Sequence, residues 1–201
     1  WKFSTFAGIT NSFGSINDVY NGFILLSAKN LSSRNTDIQQ TRSNFVGSRL
    51  EYRNPLNNIF FNVSYNFNDR TNNVTFLNEL DEASQQIIIK GYNSENNSTT
   101  NSARTELGKY FPKFKTNASV GYNYSLNNYQ QLPANSTPTE SSFIDVEGVN
   151  QGVSVKFNNN YFSWLSVDYN ANWNFNNTKS PDDARFNNKT NSFNHALSAY
   201  V

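Results

Sequence analysis

The sequence predicts an all-β protein, built as an antiparallel, up-and-down transmembrane β-barrel of which this chain forms an arc. Three observations lead to this prediction. Apolar residues recur at every second position over long runs, and short turns alternate with long polar segments. Hydrophobic residues make up only 36% of the chain although aromatic residues reach 15%. Since ordinary globular domains contain roughly 45 to 50% apolar residues, a large compact core is not expected.

The clearest alternating run covers residues 163–175. One face holds apolar side chains, namely Leu165, Val167, Tyr169, Ala171, Trp173 and Phe175. The other face holds polar side chains, namely Ser166, Asp168, Asn170, Asn172 and Asn174. A period of two residues predicts an extended strand with one apolar face and one polar face.

Two further runs, at residues 114–126 and 59–68, have the same design, and all three contain the pattern Val-x-Tyr-Asn. Their length favours a membrane strand, because a tilted spanning strand needs about 9 to 11 residues whereas soluble strands are commonly about 5 to 6. Aromatic rings near the ends of the apolar faces suit a lipid surface with two interfaces, and faces rich in Asn and Ser suit a water-filled lumen.

The turns supply a topology. Short connections are predicted at residues 54–57, which include Pro55, at 112–113 and at 158–160. Long polar segments, which predict loops, are the ranges 68–100, 127–142 and 176–190. In outer-membrane barrels short turns face the periplasm and long loops face outward.

About nine strands are expected on this basis. They are placed near residues 1–10, 17–29, 42–54, 57–68, 98–111, 113–126, 143–157, 161–176 and 189–201. Alternation is weakest in 17–29, where residues 23–26 are continuously apolar, and a short strand around Ile87 to Ile89 is expected to extend above the membrane. Because bacterial barrels usually close with an even number of strands, and because the first strand would start outside the cell, residues 1–201 are interpreted as one partial barrel.

Several classes of protein are disfavoured. A net charge of +1 with only 15% charged residues provides no basic track for nucleic acid. The chain has no Cys, which excludes disulfides and zinc thiolate sites, and no apolar run long enough for a helical span. It has no Met and no signal peptide, so a processed or incomplete chain is expected. No catalytic group or cofactor is predicted, since the single histidine, His195, shares a face with Phe193 and Leu197.

Three segments carry a family resemblance: YRNPLNNIFFNVSYNFN, GKYFPKFKTNASVGYNYSLNN and NNYFSWLSVDYNANWNFNNTKS. They resemble the barrel portions of TonB-dependent outer-membrane receptors of the Bacteroidetes. The resemblance covers nearly the whole chain and rests on the alternating pattern of the strands and on the spacing between them. It implies energised import of a bulky nutrient, such as a glycan, peptide or metal chelate, in the bacterial outer membrane. It also implies a plug domain and TonB outside this chain, and a lid lipoprotein or other outer-membrane subunits as further partners.

Parity predicts which side chains face the lumen. The candidates are Arg49, Glu51, Arg53, Arg104, Glu106, Lys156, Asp168, Asn170 and Asn172. They could contact a plug or line a path. The alternative is a structural ladder of ion pairs with neighbouring strands, and Lys156 and Asp168 could simply pair with each other.

Aromatic residues are predicted to form girdles at the lipid interfaces. The candidates are Tyr52, Phe61, Tyr124, Trp173 and Tyr200, whereas parity places Trp164 on the inward side. Two acidic groups, Glu79 with Asp81 and Glu82, and Asp182 with Asp183, fall in external loops where calcium or substrate could bind. Their spacing matches no EF-hand loop, so no metal site is predicted.

Two other functions remain open. An outer-membrane barrel of this style could be a scaffold subunit of a larger surface or assembly complex whose lumen conducts nothing. A soluble or surface-exposed β-sandwich could act as an adhesin that binds glycan through its aromatic residues. Solubility without detergent would contradict both membrane interpretations, because the apolar bands could not face water without aggregation.

Overall fold

The computed structural model describes residues 1–20, 22–27, 29–33, 35–81, 86–133 and 143–201. Its regular structure is β-strand, with short 3₁₀ turns at Ile16–Val19, Pro112–Phe114 and Ala184–Phe186. The twelve strands, in chain order, are β1 (Lys2–Phe13), β2 (Ile24–Ser27), β3 (Asn30–Ser33), β4 (Gln40–Asn54), β5 (Ile59–Asn72), β6 (Thr75–Asp81), β7 (Gln86–Tyr92), β8 (Asn96–Phe111), β9 (Thr116–Gln131), β10 (Ile144–Phe162), β11 (Leu165–Lys179) and β12 (Asn188–Tyr200). No helix in the described ranges is long and apolar enough to cross a membrane.

Eight strands form one open antiparallel sheet in the order β1-β4-β5-β8-β9-β10-β11-β12. The order of these strands in the sheet is the same as their order along the chain, and neighbouring strands are antiparallel. The chain therefore runs up and down from one edge of the sheet to the other. The strands contain 12 to 19 residues. The all-β antiparallel prediction is confirmed, and β1 and β12 are the two edges of the sheet.

The other four strands form a small mixed sheet in the order β2-β3-β7-β6, in which β3 and β7 are parallel. These strands lie in the connections between β1 and β4 and between β5 and β8. The predicted strand at 17–29 is therefore wrong as a strand of the large sheet. Its continuous apolar segment lacks the alternation that a two-faced strand needs. The short strand predicted around Ile87 to Ile89 is found, as part of β7.

The large sheet thus has eight strands where nine were expected. Without a strand of the large sheet at 17–29, β1 also begins at the opposite end of the sheet from the one expected. Lys2 pairs with Glu51, close to the short turn after β4, so β1 begins at the end of the sheet where the short turns lie. Tyr200 pairs with Ser166 at that same end. Both ends of the described chain therefore lie beside the short turns.

Strand register keeps each face uniform across the sheet. One row of directly paired residues, which carries apolar side chains in all but one strand, is Phe3, Leu50, Val63, Thr105, Tyr122, Val153, Trp173 and Phe193. The row on the opposite face is Ser4, Arg49, Ser64, Arg104, Asn123, Gly152, Asn174 and Ser192. We call these two surfaces the apolar face and the polar face.

Buried apolar side chains are few and unevenly placed. Among the described residues they are Val74, Leu77, Leu132, Ile144, Val146 and Ala171. All of these except Ala171 lie at the end of the sheet where the long connections emerge. On the apolar face, by contrast, the exposed fraction is 67% for Phe3, 55% for Leu107 and 70% for Leu197. The body of the large sheet therefore has no hydrophobic core in the described part of the chain.

Local chemistry forms the first two short turns. After β4, the side-chain oxygen of Asn54 accepts hydrogen bonds from the backbone N–H groups of Leu56 and Asn57, at 3.0 and 3.2 Å. Asn58 then adopts a positive φ of 53°, which asparagine tolerates well. After β8, Pro112 starts a 3₁₀ turn that ends at Lys115, whose φ is 45°.

The third short turn differs from its prediction. Residues 158–160 were expected to be a turn, but β10 continues through them to Phe162, and the chain reverses at 163–164. The register shifts between Asn159 and Phe162, which marks an irregularity in the strand. Consecutive asparagines resemble a turn in sequence, although here Asn158 belongs to the polar face.

Three phenylalanines on the polar face lie over glycines of the adjacent strand. Phe6 is paired with Gly47, Phe45 with Gly8, and Phe60 with Gly108. A Cβ atom placed on these glycines would lie 2.3 Å, 2.6 Å and 2.1 Å from the respective ring. Each ring therefore occupies the space that a side chain would fill, an arrangement known to support glycines in sheets.

This arrangement predicts that Gly108→Ala destabilises the protein. The new methyl group must displace the Phe60 ring, and overpacking of this kind costs about 1 to 3 kcal/mol. Gly148→Ala is the matched control, because its Cβ would meet only the backbone oxygen of Asn127, at 3.8 Å. Thermal unfolding of both variants, followed by circular dichroism, compares them. Equal midpoints would show that the Phe60 ring moves aside without cost.

Candidate functional site

The polar face is the candidate functional surface. Register places all nine predicted lumen-facing residues on it: Arg49, Glu51, Arg53, Arg104, Glu106, Lys156, Asp168, Asn170 and Asn172. The predicted grouping on a single face is thus present in the structure.

Charges on this face are arranged in rows. Arg49 and Arg104 occupy one row with Ser64 between them, while Glu51 and Glu106 occupy the next row with Asn62 between them. Adjacent strands are about 4.8 Å apart, so charges in one row are separated by about 10 Å. Uncharged residues of β5 therefore keep like charges from standing directly opposite each other, which would be destabilising.

The ion pair on this face runs along a strand. Arg49 Nε lies 2.8 Å from Glu51 Oε1, two residues further along β4. The alternative prediction was a ladder of ion pairs between neighbouring strands, but both members of this pair lie on β4. Lys156 and Asp168 also differ from the expectation, since Lys156 faces Asn170 while the amide of Asn158 donates a hydrogen bond to Asp168. Parity predicts the face on which Lys156 and Asp168 lie, but it does not predict which residue each one pairs with on the neighbouring strand.

Two shallow depressions adjoin each other on this surface. The first, of about 340 Å³, is lined by Arg49, Asn62, Val63, Ser64, Arg104 and Glu106. The second, of about 360 Å³, is lined by Phe60, Glu106, Asn117, Ser119, Lys156, Phe157, Asn158, Asp168 and Asn170. Glu106 borders both. Together they offer charges of both signs beside amides and hydroxyls, which suits contacts with a polar ligand or a polar protein surface.

One buried acceptor lies within the first depression. The side-chain oxygen of Asn62 is buried and has no hydrogen-bond donor. Such an atom is costly unless a donor reaches it. No group of three or more potential metal ligands occurs in the described ranges.

The aromatic candidates divide between the two faces. Tyr52, Phe61, Tyr124 and Trp173 lie on the apolar face, as parity predicted. Tyr200 pairs with Ser166 and therefore lies on the polar face, so its assignment to an apolar girdle is corrected. The reason is simple, since its neighbour Ala199 pairs with Val167 on the apolar face and successive residues point to opposite faces.

Sequence reasoning missed an aromatic cluster at the third short turn. Tyr161, Phe162 and Trp164 follow one another, with ring centroids 5.1 and 5.7 Å apart. Each ring is at least half exposed. Trp164 lies in the turn itself rather than on either face. The available signal is the run of aromatic residues interrupted by a single serine, but a turn predicted at 158–160 puts these residues inside the following strand.

The histidine lies where parity placed it. His195 pairs with Ala171 on the apolar face, and its ring stacks on Phe193 at 5.4 Å. Tyr169 approaches it from β11 at 6.3 Å. These contacts are those of a side chain packed on a sheet surface.

The acidic loop residues have local partners. Glu79 on β6 accepts hydrogen bonds from Lys90 and, at 3.1 Å, from the hydroxyl of Tyr92, both on β7. The Glu79 carboxylate raises the pKa of Lys90, and burial followed by the same carboxylate raises the pKa of Tyr92. Asp81 ends β6, and Glu82 lies outside the described residues.

Asp183 has a similar local role. Its carboxylate accepts hydrogen bonds from the backbone and the guanidinium of Arg185, which lowers the pKa of Asp183. It thereby caps the 3₁₀ turn at Ala184–Phe186. Glu79 and Asp183 thus take part in holding the connections together.

Comparison with known proteins does not assign a family. The sequence matches no protein-family model and no curated protein.

The ion pair on the polar face predicts a small effect on stability. Arg49→Gln should lower the free energy of unfolding by about 0.2 to 1 kcal/mol, because the guanidinium is half exposed and ion pairs that water reaches contribute little. The Arg49 side chain is 54% exposed and that of Glu51 19%. Chemical denaturation of the variant and of Glu51→Gln would measure this. A loss of several kcal/mol would instead identify a structural network.

Proposed function

We propose that this chain is part of the wall of an outer-membrane β-barrel that acts as a TonB-dependent-type importer of a bulky nutrient. The apolar face contacts lipid and the polar face lines the lumen. The observation that carries the proposal is the exposed apolar face that continues across all eight strands. Its members include Leu107, Trp173 and Phe193, which are 45 to 55% exposed in mid-sheet and near the edge.

A soluble sheet would need a second layer over such a face. Domains bury the apolar side of a sheet against another sheet or a helix. The small mixed sheet has four short strands, and the buried apolar residues other than Ala171 lie at the end of the large sheet where the long connections emerge. Lipid is the environment that satisfies an apolar surface of this extent without a protein layer.

Strand length and topology agree with this proposal. A tilted spanning strand needs about 9 to 11 residues, and the strands of the large sheet have 12 to 19. Short turns lie at one end of the sheet and long connections at the other, as in bacterial barrels. On this proposal the long connections, including the small sheet, form the substrate-facing mouth.

Import, rather than a purely structural barrel, is supported by the resemblance to TonB-dependent receptors and by the polar face. The plug domain and TonB would be provided by sequence outside this chain. A lid lipoprotein or another outer-membrane subunit would act at the mouth. The depressions around Glu106 would contact the plug or the passing nutrient.

Membrane residence is tested by fractionating cells that express the full-length native protein. We expect it in the outer membrane, with migration on gels that shifts after heating because a folded barrel resists detergent. A protein that stays in the soluble fraction would contradict the lipid-facing assignment of every strand.

Transport is tested separately by deleting the gene. The deletion strain and a complemented strain would be grown on glycans, peptides or metal chelates as the sole source of a required nutrient. A specific growth defect restored by the gene supports import. Unchanged growth on all of them, with the protein still in the outer membrane, would favour a scaffold role.

The two faces predict opposite tolerance of charge. Val155→Arg, on the apolar face of β10, should cost about 2 to 4 kcal/mol if the site lies near mid-bilayer. Asn172→Arg is the matched control, since Asn172 lies on the polar face of β11 and pairs with Ser154, next to Val155. The yield of heat-modifiable protein in the outer membrane measures both variants. Equal yields would show that the facing assignment is wrong.

A further inference from the structure

The turn between β8 and β9 combines basic and aromatic residues. Residues 109–115 read Lys-Tyr-Phe-Pro-Lys-Phe-Lys and contain no carboxylate. Lys113 lies in the 3₁₀ turn, and Lys115 closes it with a left-handed backbone. Phe111 and Phe114 are 38% and 60% exposed. Three lysines and two rings are thus held at one tip of the sheet.

Lys109 connects this tip to the apolar face. It pairs with Ile59 and Ala118 on that face, and its ammonium lies 5.3 Å from the ring centroid of Phe111. A cation over an aromatic ring is favourable and holds the side chain near the end of the strand. Long lysine side chains on a lipid face extend toward the interface in this way.

On the apolar face, carboxylates are absent near this tip in the described part of the chain. The acidic residues of the apolar face, Asp69, Asp145 and Glu147, all lie near the long connections at the opposite end of the sheet. The nearest acidic residue on β8, Glu106, points to the polar face, as does Asp168 on β11. None of the ion pairs found among the described residues involves Lys109, Lys113 or Lys115. Within the described residues, no ion pair therefore offsets the charge of this cluster.

We infer that this turn is a binding site for an anionic phospholipid, with the three lysines around the headgroup phosphate and the rings of Phe111 and Phe114 at the boundary of the acyl chains. This inference rests on the proposed membrane function. Clusters of basic residues beside an apolar surface attract anionic lipids, and aromatic rings are favoured at that depth.

A lipid fits this site better than a free anion. The apolar face continues directly from Lys109 to Leu107, and Val120, paired with Leu107, is 53% exposed. A phospholipid bound at the turn would lay its acyl chains along these side chains. A free phosphate would use only the lysines.

The test uses purified full-length protein in a neutral detergent. Phosphatidylglycerol or phosphatidylcholine is added at equal mole fraction, and the temperature at which the folded, heat-modifiable form is lost is measured. We expect phosphatidylglycerol to raise this temperature more than phosphatidylcholine does. The variant Lys109→Gln/Lys113→Gln/Lys115→Gln should lose that difference and keep the response to phosphatidylcholine.

A charge-matched control is available at the other end of the sheet. Lys29, Lys179 and Lys189 are exposed and lie at the long connections, with Lys179 and Lys189 on the apolar face. The variant Lys29→Gln/Lys179→Gln/Lys189→Gln should retain the preference. If the first triple variant does not fold, Lys113→Gln/Lys115→Gln changes only the turn, and it should lose most of the preference.

Three results would overturn the inference. These are equal stabilisation by the two lipids, equal loss in the control variant, and full stabilisation by glycerol 3-phosphate without acyl chains. Fractionation separates this failure from that of the proposed function. A heat-modifiable outer-membrane protein without lipid preference contradicts only the lipid site, whereas a soluble protein contradicts both.

Discussion

The in-register pairing of eight antiparallel strands is the constraint on which the rest of the structure depends. Side chains alternate between faces, so a slip of one residue between two strands would exchange the faces of everything beyond it. The pairings between the eight strands of the large sheet show no such slip in the body of the sheet. The register shift in β10 comes after Asn159, at the tip of its hairpin with β11. Register therefore creates the uniform apolar and polar faces.

The two ends of the sheet are built by different interactions. At the short turns, side-chain hydrogen bonds and positive φ angles reverse the chain locally. At the other end, a chain of side-chain hydrogen bonds runs from Thr41 through Asn72 and Asn96 to Thr75, which joins three strands of the large sheet to the small one. The buried apolar residues other than Ala171 lie at that end too. The long connections thus pack against this end of the sheet through hydrogen bonds and buried side chains.

Sequence alone was sufficient where alternation was strict. The runs at 59–68, 114–126 and 163–175 predict strands and the composition of their faces, although the starts of the last two runs lie in turns, and the face of Glu106 follows from parity. Alternation could not assign residues 17–29 to a strand of the large sheet, because a continuously apolar segment does not distinguish one face from the other. It also could not show that the asparagines at 158–160 belong to a strand and not to a turn. Partners across strands, such as Asn158 with Asp168 or Phe60 with Gly108, depend on register, which the sequence of one strand does not contain.

In the body of the large sheet, few apolar side chains of the described residues are buried, so contacts between them contribute little to its stability. Two rows of the polar face, those of Arg49 with Arg104 and of Glu51 with Glu106, consist of Ser, Asn, Gly and charged residues in β4, β5, β8 and β9, and uncharged residues of β5 separate the like charges. Such a surface gains little by being covered, while the opposite face gains from contact with an apolar medium or with a second apolar layer. Backbone hydrogen bonds hold the sheet together, but they cannot by themselves make the apolar face stable in water. On the proposed function, lipid would contact the apolar face and the water-filled lumen would contact the polar face, so each face would meet a medium of its own polarity.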